Sequence, residues 1–84
     1  MERTLITVPN AISMVAVLGP HDDNLRVIEA AFPSVNITVR GNEITLRGPH
    51  IDCARLENLF NEMMVVIRGG NLLNVDAVNR AIEM

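Results

Sequence analysis

Two alternating runs on either side of Gly41-Asn42 constrain this chain more tightly than any other feature. From Ile37 to Arg40 and from Glu43 to Leu46, apolar and polar residues alternate with the period of a β-strand. A glycine-asparagine pair between such runs is the signature of a two-residue hairpin loop. Closing the chain there sets Arg40 opposite Glu43, Val39 opposite Ile44, Thr38 opposite Thr45 and Ile37 opposite Leu46. Every apolar side chain then falls on one face. The other face carries an opposite-charge pair and a Thr-Thr pair, both favourable between neighbouring strands. A slip of one residue would turn the apolar set to water, so the register is expected to be firm.

The remaining elements are read outward from this hairpin, with its strands at 35–40 and 43–47. Met14 to Leu18 is an unbroken apolar run, expected as a central strand over 13–18 that is covered on both faces. Gly19-Pro20 stops it. A helix is expected over 23–32, with Leu25, Ile28 and Phe32 on one stripe, ending before Pro33 because a residue preceding proline is pushed out of the α region. A longer helix over 50–68 carries Cys53, Leu56, Phe60, Met63 and Ile67 inward and stops at Gly69-Gly70. Asn74 then caps a last helix over 75–83. That helix meets the end of the chain without a stop signal, which suggests an excised domain. An extra strand over 4–8 completes the list, and its pairing, within the chain or with a second chain, stays open.

Eighty-four residues make one domain, 1–84, with a core of limited depth. Apolar residues are 49% of the chain but only Phe32 and Phe60 are aromatic, so the interior must be aliphatic. The net charge is −3, and all seven basic residues are Arg. With no Lys, the chain holds neither a Walker A phosphate loop nor a Schiff-base amine. The acidic balance also argues against strong non-specific nucleic-acid binding. A lone Cys53 on an apolar stripe reads as a small buried hydrophobe in a reducing compartment. No signal peptide or membrane span is seen, and no membrane contact is expected. His21 with Asp22 and Asp23, or His50 with Asp52 and Cys53, matches no zinc spacing, and no nucleophile-and-base set is present. The chain itself is therefore expected to be non-catalytic, with no metal and no cofactor.

The order of strand, glycine turn, helix, hairpin and long helix resembles a KH-type domain whose first helix is reduced to a turn, an α+β two-layer sandwich. More specifically, Leu18-Gly19-Pro20-His21-Asp22-Asp23-Asn24-Leu25, together with Arg40-Gly41-Asn42-Glu43-Ile44, resembles the N-terminal domain of PhoH-like proteins. The likeness extends through the closing segment Leu73 to Val78. It implies a cytoplasmic parent in which this module precedes a P-loop ATPase domain linked to RNA metabolism. ATP and Mg would belong to that second domain, and no phosphate-binding residue is carried onto this chain.

In KH domains a Gly-x-x-Gly loop lets an RNA backbone approach closely. The matching loop here is Gly19-Pro20-His21-Asp22, with an aspartate in place of the second glycine. Two carboxylates on a phosphate path oppose RNA, whereas Asp22 or Asp23 capping the helix gives them a local purpose. The candidate contact residues for RNA or a partner are Gly19, His21, Arg26, Arg40 and Arg47. Arg40 facing Glu43 has a structural use of its own. The first functional expectation is an accessory module that docks on the ATPase domain or self-associates, drawn from surplus apolar residues at Leu5, Ile6, Val65 and Val75. The second is a degenerate KH-like module with weak affinity for single-stranded RNA.

Overall fold

The computed structural model describes residues 2–83; Met1 and Met84, the outermost positions of the expected domain, lie outside it. In chain order the elements are β1 (Glu2–Thr7), α1 (Met14–Leu18), a 3-10 turn (Pro20–Asp22), α2 (Asp23–Ala31), β2 (Asn36–Arg40), β3 (Glu43–Gly48), α3 (His50–Arg68) and α4 (Val75–Glu83). The strands form one open antiparallel sheet in the order β1-β3-β2. The fold is thus mixed α+β, as expected.

The hairpin register is the one the alternation dictates, with Arg40 opposite Glu43, Val39 opposite Ile44, Thr38 opposite Thr45 and Ile37 opposite Leu46. Positive φ in the loop is confined to Gly41, at 58°, the pattern of a II′ turn with glycine in its first central position. The loop is also tied to β1. Val8 N–H donates to Asn42 O at 2.8 Å, and Asn42 Nδ2 donates to Val8 O at 3.2 Å. The end of the first strand is therefore clamped on the hairpin tip.

The first strand corrects the expectation for 13–18, because Met14–Leu18 is a helix and not a strand. The central position of the sheet, expected for 13–18, belongs to β3, and β1 takes one edge. The physical reason lies in burial. Val17 and Leu18 are buried and Met14 is half-buried, positions related by three and four residues, while Val15 is 66% exposed. A two-faced buried strand would hide Val15. In β1, Ile6 is buried together with Val8 just beyond it, and Leu5 is turned outward, the alternation of a strand with one wet face. The pairing question for the N-terminal strand is answered within one chain, Leu5 opposite Thr45 and Ile6 opposite Ile44.

One face of the sheet is roofed by helices. Ile6, Ile37, Ile44 and Leu46 point into a core completed by Val17, Ile28, Leu56, Phe60, Met63 and Val78. α3 packs on β1 and β3, while α2 packs chiefly on α4. Its inward stripe is the expected one, with Cys53, Leu56, Phe60 and Met63 buried and Ile67 half-buried. Cys53 is a buried thiol. Asn74 caps α4 as expected, its Oδ1 accepting from Ala77 N–H at 2.8 Å. Among the described residues, no helix covers the opposite face of the sheet.

Candidate interaction surfaces

The glycine turn joins α1 to α2. Gly19 has φ of 81°, and a Cβ there would stand 3.0 Å from both the backbone nitrogen and Cγ of Asn24. Only glycine suits that combination of sign and space. His21 and Asp22 follow at φ of 56° and 60°, both exposed, so two successive side-chain-bearing residues occupy the left-handed region. Asp22 stands at the N-cap of α2 yet makes no side-chain capping bond, which corrects the expected hydrogen-bonded cap. Its positive φ turns it away from the extended geometry that a capping residue needs. Asp22 and Asp23 remain close to the positive end of α2 and favour it by charge alone.

Asp22→Gly is expected to leave stability within about 0.5 kcal/mol of the parent chain. Removing the Cβ relieves a left-handed cost of about 1–2 kcal/mol, offset by the extra freedom of glycine in the unfolded chain and by the lost negative charge at the positive end of α2. Urea unfolding followed by circular dichroism checks the size of the change.

Behind the turn lies Asn24, which sequence reasoning did not single out. It is 1% exposed, buried among apolar side chains. Its Nδ2 donates to Val17 O and to Leu73 O, each at 3.3 Å. One amide therefore ties the end of α1, the start of α2 and the connection before α4. The only signal in the chain was its place in the Asp22-Asp23-Asn24-Leu25 run, where an asparagine more often serves as a cap.

The three arginines named from the sequence do not share a surface. Arg26 is exposed on α2, in the helical layer, whereas Arg40 and Arg47 lie on the open face of the sheet. There they are joined by Arg3, which sequence reasoning passed over. The outward residues form three rows across the strands: Arg3, Arg47 and Asn36; Leu5, Thr45 and Thr38; Thr7, Glu43 and Arg40. All of these but Thr7 line a shallow depression of about 300 Å³. Gly19 is buried and His21 exposed at the distant glycine turn, so the five candidates divide between two places.

A third exposed feature is apolar. Leu72, in the connection from α3 to α4, is 93% exposed, with Val65 at 69% and Val66 at 37% in the last turns of α3. Asn71 N–H donates to Val66 O at 3.3 Å and holds the connection against that helix end. Of the expected surplus residues, Leu5 and Val65 are exposed, Val75 is half-buried and Ile6 is buried. A groove of about 550 Å³ runs between α3 and α4, floored by Phe32, Leu59 and Ile82 and rimmed by Arg55, Glu62 and Glu83. Among the described residues, no group of three or more His, Cys, Asp or Glu is placed to hold a metal ion. Nor is any helix among them long and apolar enough to cross a membrane.

Fold and surfaces together define a small α+β domain with one roofed and one open sheet face. Over 82 residues, 98% of its length, the chain is 34% identical to proteins named PhoH-like from Mycobacterium bovis and from two strains of Mycobacterium tuberculosis. It corresponds to one stretch of these PhoH-like proteins and spans 23% of their length. No family model matches the chain, and no solved structure matches it significantly.

Proposed function

We propose that this chain is the non-catalytic accessory domain of a PhoH-like protein, and that it docks on or assembles with an ATP-binding domain elsewhere in that protein. The observation that carries the reading is the apolar end formed by Leu72, Val65 and Val66. A leucine almost wholly in water beside two exposed valines is a poor surface for a domain that touches nothing and a good one for a docking partner. The match to about a quarter of a longer relative supports the same reading. Any ATP and Mg are held by the partner domain, and the assembled protein is cytoplasmic. The test is co-purification of the chain with the separately produced remainder of a PhoH-like protein, and size-exclusion of each alone. The two are expected to co-elute, and Leu72→Asp to weaken the complex by about tenfold or more, as loss of a buried leucine implies. A strictly monomeric chain that ignores the remainder would contradict the proposal.

A second reading has its own support. With α1 in place, the first helix expected to be reduced to a turn is a real helix, and the order of strand, helix, glycine turn, helix, hairpin and helix is nearer a KH-type domain. On that reading the chain is a degenerate KH-like module with weak affinity for single-stranded RNA, opposed at its loop by Asp22 and Asp23. Titration with single-stranded RNA at low and high salt tests it, since phosphate contacts weaken as salt rises. Asp22→Gly, which restores the second glycine, should tighten binding. No binding at low salt by either form would end this reading.

A further inference from the structure

We propose that the open face of the sheet is a docking site for an extended polypeptide segment bearing carboxylates and aliphatic side chains, gripped between Arg3 and Arg47 and seated on Leu5. This surface is separate from the Leu72 end, and the inference does not rest on the docking role given to that end.

The first support is the pairing of like charges. Arg3 and Arg47 stand directly opposite on neighbouring strands, an arrangement that is unfavourable when left bare. One carboxylate placed between two guanidinium forks would turn that repulsion into paired charge-assisted hydrogen bonds. The second support is the segregation of charge. In a chain with net charge −3, the open face gathers three of the seven arginines against Glu43 alone among described carboxylates. Most of the other acidic residues belong to the helices and their connections. An acidic partner is therefore attracted to this face and repelled by the other.

The rows also set the spacing of the occupant. Leu5 is 52% exposed in the row next to Arg3, and successive outward rows on a strand are about 6.5 Å apart. An extended segment matches this with a carboxylate at one position and an aliphatic side chain two residues on. Thr45 and Thr38, in the same row as Leu5, offer hydroxyls to its polar groups.

A nucleic-acid strand suits the face less well. Single-stranded binders add aromatic platforms to their cations, and this face has none. Phe60 is buried and Phe32 lies in the groove between α3 and α4.

The test is fluorescence anisotropy of the chain with a fluorescein-labelled peptide of Glu-Ser-Leu-Ser repeats, at low and high salt. Binding is expected, and it should weaken with salt. Arg3→Glu or Arg47→Glu should each weaken it by about tenfold or more, the scale of a lost charged hydrogen bond. Arg80→Glu, on α4, should leave it unchanged. Arg47→Gln serves as a milder variant, and circular dichroism verifies that each variant is folded. Absence of binding at low salt, or equal binding by folded Arg3 and Arg47 variants, would overturn the proposal. So would tighter binding of labelled polyuridylate with the same arginine dependence, which would give the face to nucleic acid.

Discussion

Phe60→Ala should cost about 3–5 kcal/mol, the range for deleting a buried aromatic side chain. Phe60 is the largest fully buried side chain, on the inward stripe of α3 and within the core beneath the sheet. Small domains are stable by about 5–15 kcal/mol in all, and one with a core of this depth belongs near the lower end. The variant is therefore expected to lose most of its cooperative transition in urea. Phe60→Leu keeps much of the volume and should cost far less, about 1–2 kcal/mol. A loss below about 1 kcal/mol for the alanine variant would mean that α3 does not close the core at this point.

Asn24→Ala is the second large effect, expected at about 1–3 kcal/mol, because it leaves two carbonyls without their donor. The loss should also have a direction. Leu73 O is one of the two acceptors, so the segment leading into α4 loses its tie to the glycine turn. Faster amide exchange in α4 than in β3 would report that local release. Gly19→Ala should be destabilising in the native background, where the new methyl meets Asn24, and less so in the Asn24→Ala background. The strain from the positive φ and the close approach to the backbone nitrogen of residue 24 remain in both, so coupling between the two substitutions measures the side-chain contact alone.

The parts of the fold legible in the sequence are those set by local periodicity. The hairpin register followed from strict alternation, and the helices at 23–32, 50–68 and 75–83 lie within a residue of their expected ends because stripe and stop signals agree. Met14–Leu18 failed for a physical reason. Five successive apolar residues have no polar member to mark the wet side, and that side is occupied by Val15. The pairing of β1 with β3 joins residues about forty positions apart and leaves no local mark. Asn24 was hidden for the same reason, since its acceptors lie 7 and 49 positions away.

The candidate surfaces show the same division. Surplus hydrophobicity did not settle exposure: Val65 and Leu5 are exposed, while Ile6, next to Leu5 on the strand, is buried because alternation sends it to the other face. Arg3 carried no signal of its own in the sequence, and only strand pairing sets it beside Arg47. Arg26 looked like a partner for Arg40 and Arg47 until the sheet and helical layer separated them.

Hydrogen exchange of the chain, alone and mixed with the remainder of a PhoH-like protein, tests the docking account most directly. Amides from the last turn of α3 through Leu73 should gain protection in the mixture, while α2 and the hairpin stay unchanged. Identical exchange at 65–73 with and without the remainder, at concentrations where both are folded, would contradict it.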